Sequence, residues 1–180
     1  ANYFMTLHIH NIIIREASIK DAQKLSEFIK KLDDENEFLL YDKNERKNNI
    51  EIASRYLAKI NEYNASAVFI AINKNGDIIG FVCGEINNLR RFSHVMKVNI
   101  GILKEYYNIG LGNTLAKTLE EHAKQNSIIR VEVSVISKNE ISLNLCKKFG
   151  LTVDGVKKFA IKVNNKYYDE IMLSKILLDI

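Results

Sequence analysis

Two glycines at the start of a predicted helix are the chain's clearest indication of chemistry. Gly110 and Gly112 belong to the segment Tyr107-Asn108-Ile109-Gly110-Leu111-Gly112, which follows an alternating apolar segment and precedes a helical one. The first N–H groups of a helix lack intrahelical acceptors, the helix dipole adds positive potential there, and glycine lets an anion approach the backbone. The segment therefore predicts a phosphate-binding turn, although glycine at a helix start also serves close packing.

The glycine spacing excludes two more specific nucleotide motifs. The chain has no Gly-x-x-x-x-Gly-Lys-Ser/Thr sequence for a nucleoside triphosphate, and the turn does not complete Gly-x-Gly-x-x-Gly for a dinucleotide. No group of His, Cys and Asp residues has metal-ligand spacing, so we predict no metal site.

Hydrophobic periodicity predicts the elements that position this turn. Ile12–Ile14 is a short apolar run typical of a strand, and Ser18 with Asp21 resembles a capping box that opens a helix reaching the acidic stretch Asp33–Glu35. Apolar residues at three- and four-residue spacing indicate a second helix at 52–60. A strand and two helices thus precede the main strands.

A hairpin and a half-buried strand follow. Val68–Ile72 and Ile78–Cys83 are apolar runs separated by a segment containing Asn75-Gly76, a strong signal for antiparallel pairing. Met96–Ile102 then alternates apolar residues with polar ones and glycine, which is the period of a half-buried strand. This strand leads directly into the glycine turn.

Helices and strands alternate after the turn. The segment 110–125 carries an apolar residue every four positions, and the strand predicted at 128–136 should run parallel to its predecessor because a helix connects them. Ser137 and Glu140 offer a second capping box for a helix that stops at Gly150. A closing hairpin has strands at 157–163 and 170–173. The order predicts one mixed α/β domain.

Composition limits the class of protein. The chain has 180 residues, of which 47% are hydrophobic and 27% charged, an ordinary balance for one globular domain. The net charge of +4 is scattered, so we expect no nucleic-acid partner, and no apolar stretch is long enough to cross a membrane. We interpret residues 1–11 as an N-terminal extension, in part a cloning remnant, and 12–180 as the domain.

Two cysteines, Cys83 and Cys146, lie in apolar segments rather than in a spaced framework. This pattern favours free thiols in a reducing compartment, and the start of the chain lacks the features of a secretory signal. We therefore expect a cytoplasmic protein.

Two motifs of this chain resemble two motifs of a known family and occur in the same order as they do there. The turn Tyr107-x-x-Gly110-x-Gly112 matches both glycines of the motif Gln/Arg-x-x-Gly-x-Gly/Ala, but not its leading residue. A second motif, Asn-x-x-Ala-x-x-Leu-Tyr-x-x-x-Gly-Phe, aligns at the same spacing with Asn139, Ser142, Leu145, Cys146, Gly150 and Leu151. Residues 12–176 thus resemble the GCN5-related N-acetyltransferases (GNAT), in particular a bacterial branch similar to ribosomal-protein and small-amine acetyltransferases.

The resemblance implies a fold and a donor. We expect a central mixed twisted sheet of about seven strands flanked by about four helices, with a splayed parallel pair of strands at the cofactor site. Acetyl-CoA would be the cosubstrate, with its pantetheine arm along the fourth strand and its pyrophosphate at the glycine turn. The implied binding residues are Ile100, Gly101, Ile102, Leu103, Tyr107, Asn108, Ile109, Gly110, Leu111, Gly112, Asn113 and Asn139. Asn139 could equally well satisfy the start of the following helix.

The resemblance also suggests acid–base residues. Cys146 occupies the position where many relatives carry a tyrosine that protonates the departing thiolate, although a small core residue is the alternative. Glu85, just after a strand, is the first candidate for the base and His94 the second. Relatives often carry a glutamate at the site of Lys97, and a protonated lysine cannot serve as the base. Glu85 could also be a solvated carboxylate at a strand end.

The acidic residues Asp33, Asp34, Glu35 and Glu37 lie between the first two helices, where they could attract a cationic amine or form a solvated loop.

The expected reaction is direct acetyl transfer to a primary amine, on a small molecule or a protein N-terminus, with no acyl-enzyme. Cys83 is not expected to act as a nucleophile, because it has no recognisable base nearby in sequence. Transfer of a longer acyl group stays open. The alternative, suggested by the substitutions at Tyr107, Lys97 and Cys146, is a non-catalytic acyl-CoA-binding or regulatory module. We expect a monomer or homodimer.

Overall fold

One mixed sheet with helices on both faces forms the protein. The computed structural model describes residues 5–7, 11–39, 41–63 and 65–178. Their strands and α-helices, in chain order, are β1 (Met5–Leu7), β2 (Ile12–Glu16), α1 (Ala22–Glu35), α2 (Ile50–Asn61), β3 (Ala67–Ile72), β4 (Ile78–Ile86), β5 (Val95–Ile102), α3 (Leu111–Gln125), β6 (Arg130–Ile136), α4 (Glu140–Lys148), β7 (Thr152–Val163) and β8 (Lys166–Ile176). None of these helices is both long and apolar enough to span a bilayer.

The strand order within the described residues is β1-β2-β3-β4-β5-β6-β8-β7. Every neighbouring pair is antiparallel except β5 and β6, which are parallel. The mixed α/β class and the parallel connection through α3 are therefore confirmed. The sheet has eight strands where about seven were expected, since Met5–Leu7 adds a short strand beside β2.

Alternation along the strands separates two cores. On β3, Ala67, Phe69 and Ala71 pack with the face that α3 covers. Val68 and Ile70 pack with the opposite face, beneath α1 and α2. Because successive side chains of a strand point to opposite faces, a continuous apolar run such as β3 serves both cores.

The parallel pair of strands separates after three residues. Val95, Met96 and Lys97 pair with residues 130–132, whereas β5 continues to Ile102 and β6 to Ile136 without further pairing between them. Both strands keep their outer neighbours, β4 and β8. The structure thus confirms the splayed pair and leaves a wedge-shaped opening in the sheet.

Gly101 lets α1 approach β5 directly beside this opening. A Cβ at this position would lie 2.5 Å from Leu32 Cδ2 and 2.9 Å from Phe81 Cε1, far inside van der Waals contact. The absence of a side chain therefore allows the end of α1 to pack against the backbone that borders the opening.

Three local expectations need correction. The acidic stretch Asp33–Glu35 is the last turn of α1 rather than part of a loop, and β4 runs to Ile86, so that Glu85 lies within the strand. The cap of α4 is Asn139 rather than Ser137: its side chain accepts a hydrogen bond from the Ser142 N–H. Ser and Asn are both good caps, so the sequence alone could not distinguish them.

Candidate active site

The glycine turn has the geometry of an anion site. Gly110 is the N-cap of α3 with φ 83°, a left-handed conformation that suits glycine, and Asn108 also has positive φ, 61°. The first α-helical hydrogen bond runs from the Thr114 N–H to the Gly110 carbonyl at 3.2 Å. The N–H groups of residues 111–113 precede it and have no acceptor within the helix.

Tyr107 gives the turn a neutral side chain where the family motif has a basic or amide residue. It is half-buried, and burial, followed by the charge of Glu35, raises its pKa, so the phenol stays protonated. Glu35 Oε2 also accepts a hydrogen bond from the Lys104 N–H at 2.9 Å. The end of α1 is thereby tied to the segment that leads into the turn.

The predicted pantetheine residues lie on the β5 side of the opening. Ile100 and Ile102 pack with the core beneath α3, and Gly101 points to the α1 face. Leu103 is buried and its N–H bonds the Ile79 carbonyl at 3.0 Å. Between Val98 and Ile102 the backbone groups that face β6 have no partner on that strand.

Asn139 stands on the other side of the opening, at the start of α4. Its Oδ1 caps the helix at 3.2 Å from the Ser142 nitrogen. Its Nδ2 has no hydrogen-bond partner within the described ranges and remains able to donate to a ligand. The two roles considered for Asn139 are therefore compatible.

A cavity of about 630 Å³ runs through the opening and joins the two faces of the sheet. Its walls on the α1–α2 side include Ile29, Leu32, Phe38, Ile52, Tyr56, Phe81 and Glu85. Its walls on the α3–α4 side include Leu119, Val133, Asn139, Leu145 and Cys146. The cavity therefore brings together Glu85, Cys146, Asn139 and Ile100, whereas the turn 107–112 and His94 lie outside its walls.

Cys146 is a core residue that also reaches the cavity. It is 7% exposed and packs with Val135 and Leu173. Burial raises the pKa of its thiol to about 11. A proton transfer from this thiol to a thiolate of ordinary pKa, about 8.5, is therefore uphill. The thiol is thus a weak acid for this purpose.

Glu85 is exposed on the cavity wall and accepts a hydrogen bond from the Tyr56 hydroxyl at 3.3 Å. Lys97 lies opposite Glu85 on β5 but does not line the cavity. His94 is exposed ahead of β5. Of the base candidates weighed from the sequence, only Glu85 therefore borders the cavity.

Sequence reasoning missed Tyr56 and the pairing of Asp33. Tyr56 occupies an apolar-face position of α2, a pattern that indicates packing and gives no sign of its contact with Glu85. Asp33 is buried and paired with Arg46, with Oδ2 2.9 Å from Nε and Oδ1 3.0 Å from Nη2. This carboxylate holds the α1–α2 connection and is not free to attract an amine.

Known acetyltransferases have the same fold as this chain. A family model described as an acetyltransferase (GNAT) domain matches residues 14–172. A GNAT acetyltransferase from Streptococcus pneumoniae is 27% identical with a TM-score of 0.87, covering 92% of this chain and 99% of that one. YncA from Salmonella typhimurium, solved with its cofactor acetyl-CoA, is 16% identical with a TM-score of 0.82, covering 94% and 95%.

A curated relative is similar over a shorter stretch. The L-amino acid N-acetyltransferase AaaT of Escherichia coli (strain K12) is 25% identical over 104 residues, which span 57% of this chain and 64% of the relative. The family model, in contrast, covers most of the chain and includes the opening, the glycine turn and α4. The chain therefore belongs to the GNAT family of acetyltransferases.

Proposed function

We propose that the protein transfers the acetyl group of acetyl-CoA directly to a primary amine, on a small molecule or at a protein N-terminus. The observation that carries this proposal is the cavity through the splayed strands, with Glu85 on one face of the sheet and Asn139 with Cys146 on the other. A thioester entering from the α3–α4 side could meet an amine entering from the α1–α2 side.

The residues present fit acetyl-CoA as the donor. The uncapped N–H groups after Gly110 would receive the pyrophosphate, and the edge of β5 that faces away from β4, from Ile100 to Ile102, would pair with the pantetheine amides. Leu103, predicted as a further contact, already has both backbone groups paired, its N–H with the Ile79 carbonyl and its carbonyl with the Tyr106 N–H. Asn139 Nδ2 would add one donor from the far side. Tyr107 contributes no positive charge, so we expect weaker phosphate binding than a basic residue would give.

The acceptor side must remove a proton. An alkylamine with pKa near 10.4 is neutral in only about one molecule in 10³ at pH 7, so a base is needed. Among the described residues, three carboxylates line the cavity, and Glu120 and Glu170 form ion pairs with lysines. Glu85 is therefore the group that we expect to take this proton, directly or through a water. A backbone N–H of β5 would stabilise the oxyanion formed on attack. Cys146 also borders the site, but its raised pKa makes it a poor proton donor, so CoA would leave as the thiolate.

The relatives support the amine acceptor without identifying it. AaaT acts, by its name, on L-amino acids. We propose an acceptor of the ribosomal-protein or small-amine type, a catalytic domain spanning 12–180, action in the cytoplasm, and a monomer or homodimer as the functional unit.

Release of free thiol from acetyl-CoA across a panel of amines, amino acids and short peptides tests the proposal. We expect turnover with at least one acceptor, and a loss of roughly 10²-fold or more in kcat/KM for Glu85→Gln, because a general base contributes about that much. Glu51→Gln is the matched control, since Glu51 is exposed on α2 and pairs with Arg55. Binding of acetyl-CoA with no turnover on any acceptor would instead support the non-catalytic acyl-CoA-binding module.

A further inference from the structure

A hydroxyl, a thiol and a carboxylate meet on the α1–α2 side of the cavity. The Tyr56 hydroxyl lies 2.7 Å from Cys83 Sγ and 3.3 Å from Glu85 Oε1. Cys83 Sγ lies 3.6 Å from the same carboxylate oxygen. All three side chains therefore form one cluster around Oε1 of Glu85.

The fold fixes the members of this cluster. Cys83 and Glu85 are two residues apart on β4, so their side chains share the face beneath α1 and α2. Tyr56 comes from α2, which is anchored by the buried residues Ala53 and Leu57. The contact thus joins a helix and a strand across 27 to 29 residues of sequence.

Both neighbours of the carboxylate keep their protons at neutral pH. Burial, followed by the proximity of Cys83 and Glu85, raises the pKa of Tyr56, and burial raises the pKa of Cys83 to about 12. The Glu85 oxygen lies closer to Tyr56, at 3.3 Å, than to Cys83, at 3.6 Å, so we assign the Tyr56 hydroxyl as the donor to Oε1 and the Cys83 thiol as the donor to the Tyr56 oxygen. Oε1 then accepts one hydrogen bond, from Tyr56.

The second carboxylate oxygen of Glu85, Oε2, takes no part in the hydrogen bonds of the cluster. Across the residues that the structure describes, Oε2 has no hydrogen-bond partner, and Glu85 borders the cavity. A carboxylate with one oxygen held and one free is restricted in rotation. Such restriction keeps the free oxygen in reach of a group in the cavity.

We propose that Tyr56 is a positioning residue that holds Oε1 of Glu85 so that Oε2 receives the proton of the acceptor amine. This role rests on the proposed acetyl transfer. The neutral form of the amine attacks: as the nitrogen–carbonyl bond forms and the carbon–sulfur bond breaks, one of its protons passes to Oε2 and CoA leaves as the thiolate. Tyr56 keeps its own proton throughout.

A double-mutant cycle tests this role. We expect Tyr56→Phe to lower kcat for the best acceptor by roughly 10-fold, the effect of one hydrogen bond to a charged group, with the acetyl-CoA dissociation constant unchanged. In the Glu85→Gln background the same change should cause no further loss, because Tyr56 acts through Glu85. Tyr63→Phe is the matched control: that hydroxyl binds Asn88 at 2.6 Å and does not line the cavity.

Two results would overturn the role of Tyr56 alone. One is wild-type turnover with losses from Tyr56→Phe and Glu85→Gln that multiply in the double variant. The other is a Tyr56→Phe variant whose affinity for acetyl-CoA falls by the same factor as its kcat, which indicates a general structural role. A wild-type protein that binds acetyl-CoA but acetylates nothing removes the proposed function, and the role of Tyr56 with it.

Discussion

Cys146 shows how burial limits the chemistry of a side chain. Its position on α4 faces the cavity, but its contacts with Val135 and Leu173 are those of a core residue. A thiol with pKa about 11 stays protonated at neutral pH and still gives its proton to a thiolate only at a cost. Thiolates leave more easily than alkoxides, so acetyl transfer does not depend strongly on an acid here.

Cys146→Ala should therefore change kcat by less than about 10-fold, well short of the 10²- to 10⁴-fold that an effective general acid contributes. Some loss of stability is expected because a buried side chain becomes smaller. The measurement is the rate of thiol release at saturating acetyl-CoA, with a thermal melt alongside. A loss of 10²-fold in a variant that melts normally would make Cys146 the proton donor.

At the scale of elements, the backbone of the turn before α3 can be tested separately from its surroundings. Gly110 and Gly76 both have positive φ, 83° and 79°, and a Cβ added at either would meet no atom of the described residues within 4 Å. Alanine at either site should cost about 1–2 kcal/mol of stability through backbone strain alone. Only Gly110→Ala should also weaken acetyl-CoA binding, because only this glycine directs the N–H groups of α3.

Thermal shift with acetyl-CoA at several concentrations gives both quantities for each variant. Equal weakening of acetyl-CoA binding by Gly76→Ala and Gly110→Ala would show that strain in the turn between β3 and β4 affects the donor site as much as strain at the start of α3. Unchanged binding in both would mean that the turn does not contact the pyrophosphate.

Asp21 links the end of β2 to the start of α1. Its carboxylate lies 2.6 and 2.9 Å from Arg15 nitrogens and accepts the Ser18 N–H at 2.8 Å. Burial alone would raise the pKa of Asp21, but the bonds from Arg15 and Ser18 outweigh it and lower the pKa below its ordinary value of 3.8. A carboxyl group with a lowered pKa stabilises the folded state above its unfolded-state pKa and loses that contribution as pH falls through the folded value.

We therefore expect Asp21→Asn to lower the free energy of unfolding at pH 7 by about 1.5–3 kcal/mol. The difference from wild type should begin to shrink as pH falls below about 4, where the carboxyl of the unfolded chain takes up its proton, and should be lost as pH falls through the lower folded-state pKa. Urea unfolding of both proteins at pH 7 and pH 3 measures this. A difference that stays constant across that range would assign the effect to packing instead.

Periodicity and turn chemistry were enough to predict most elements, but not the contacts between them. The Asn75-Gly76 turn and the alternation of Met96–Ile102 specify local structure, and the structure has both. The opening beside β5 was predicted only from the family resemblance, because hydrophobic periodicity does not indicate where two paired strands separate. The contact of Tyr56 with Glu85 depends on how α2 packs on the sheet, which local sequence does not encode.

At the scale of the whole molecule, the proposed order of chemical events rests on the opening between β5 and β6. A sheet normally separates the groups on its two faces, but here the cavity connects them. The donor and the acceptor can thus occupy opposite faces and react without exchanging places. This arrangement suits a mechanism in which both substrates are bound before any bond is broken.

The thiols of the molecule argue against the alternative, an acetyl group held on the enzyme. Cys83 and Cys146 have pKa values raised by burial to about 12 and about 11, so at pH 7 only about one thiol in 10⁴ to 10⁵ is the reactive thiolate. Initial rates measured while both substrates are varied should therefore give intersecting double-reciprocal lines, as expected when a complex with both substrates forms. Parallel lines, or an acetylated cysteine detected by mass spectrometry after acetyl-CoA alone, would instead require a covalent intermediate.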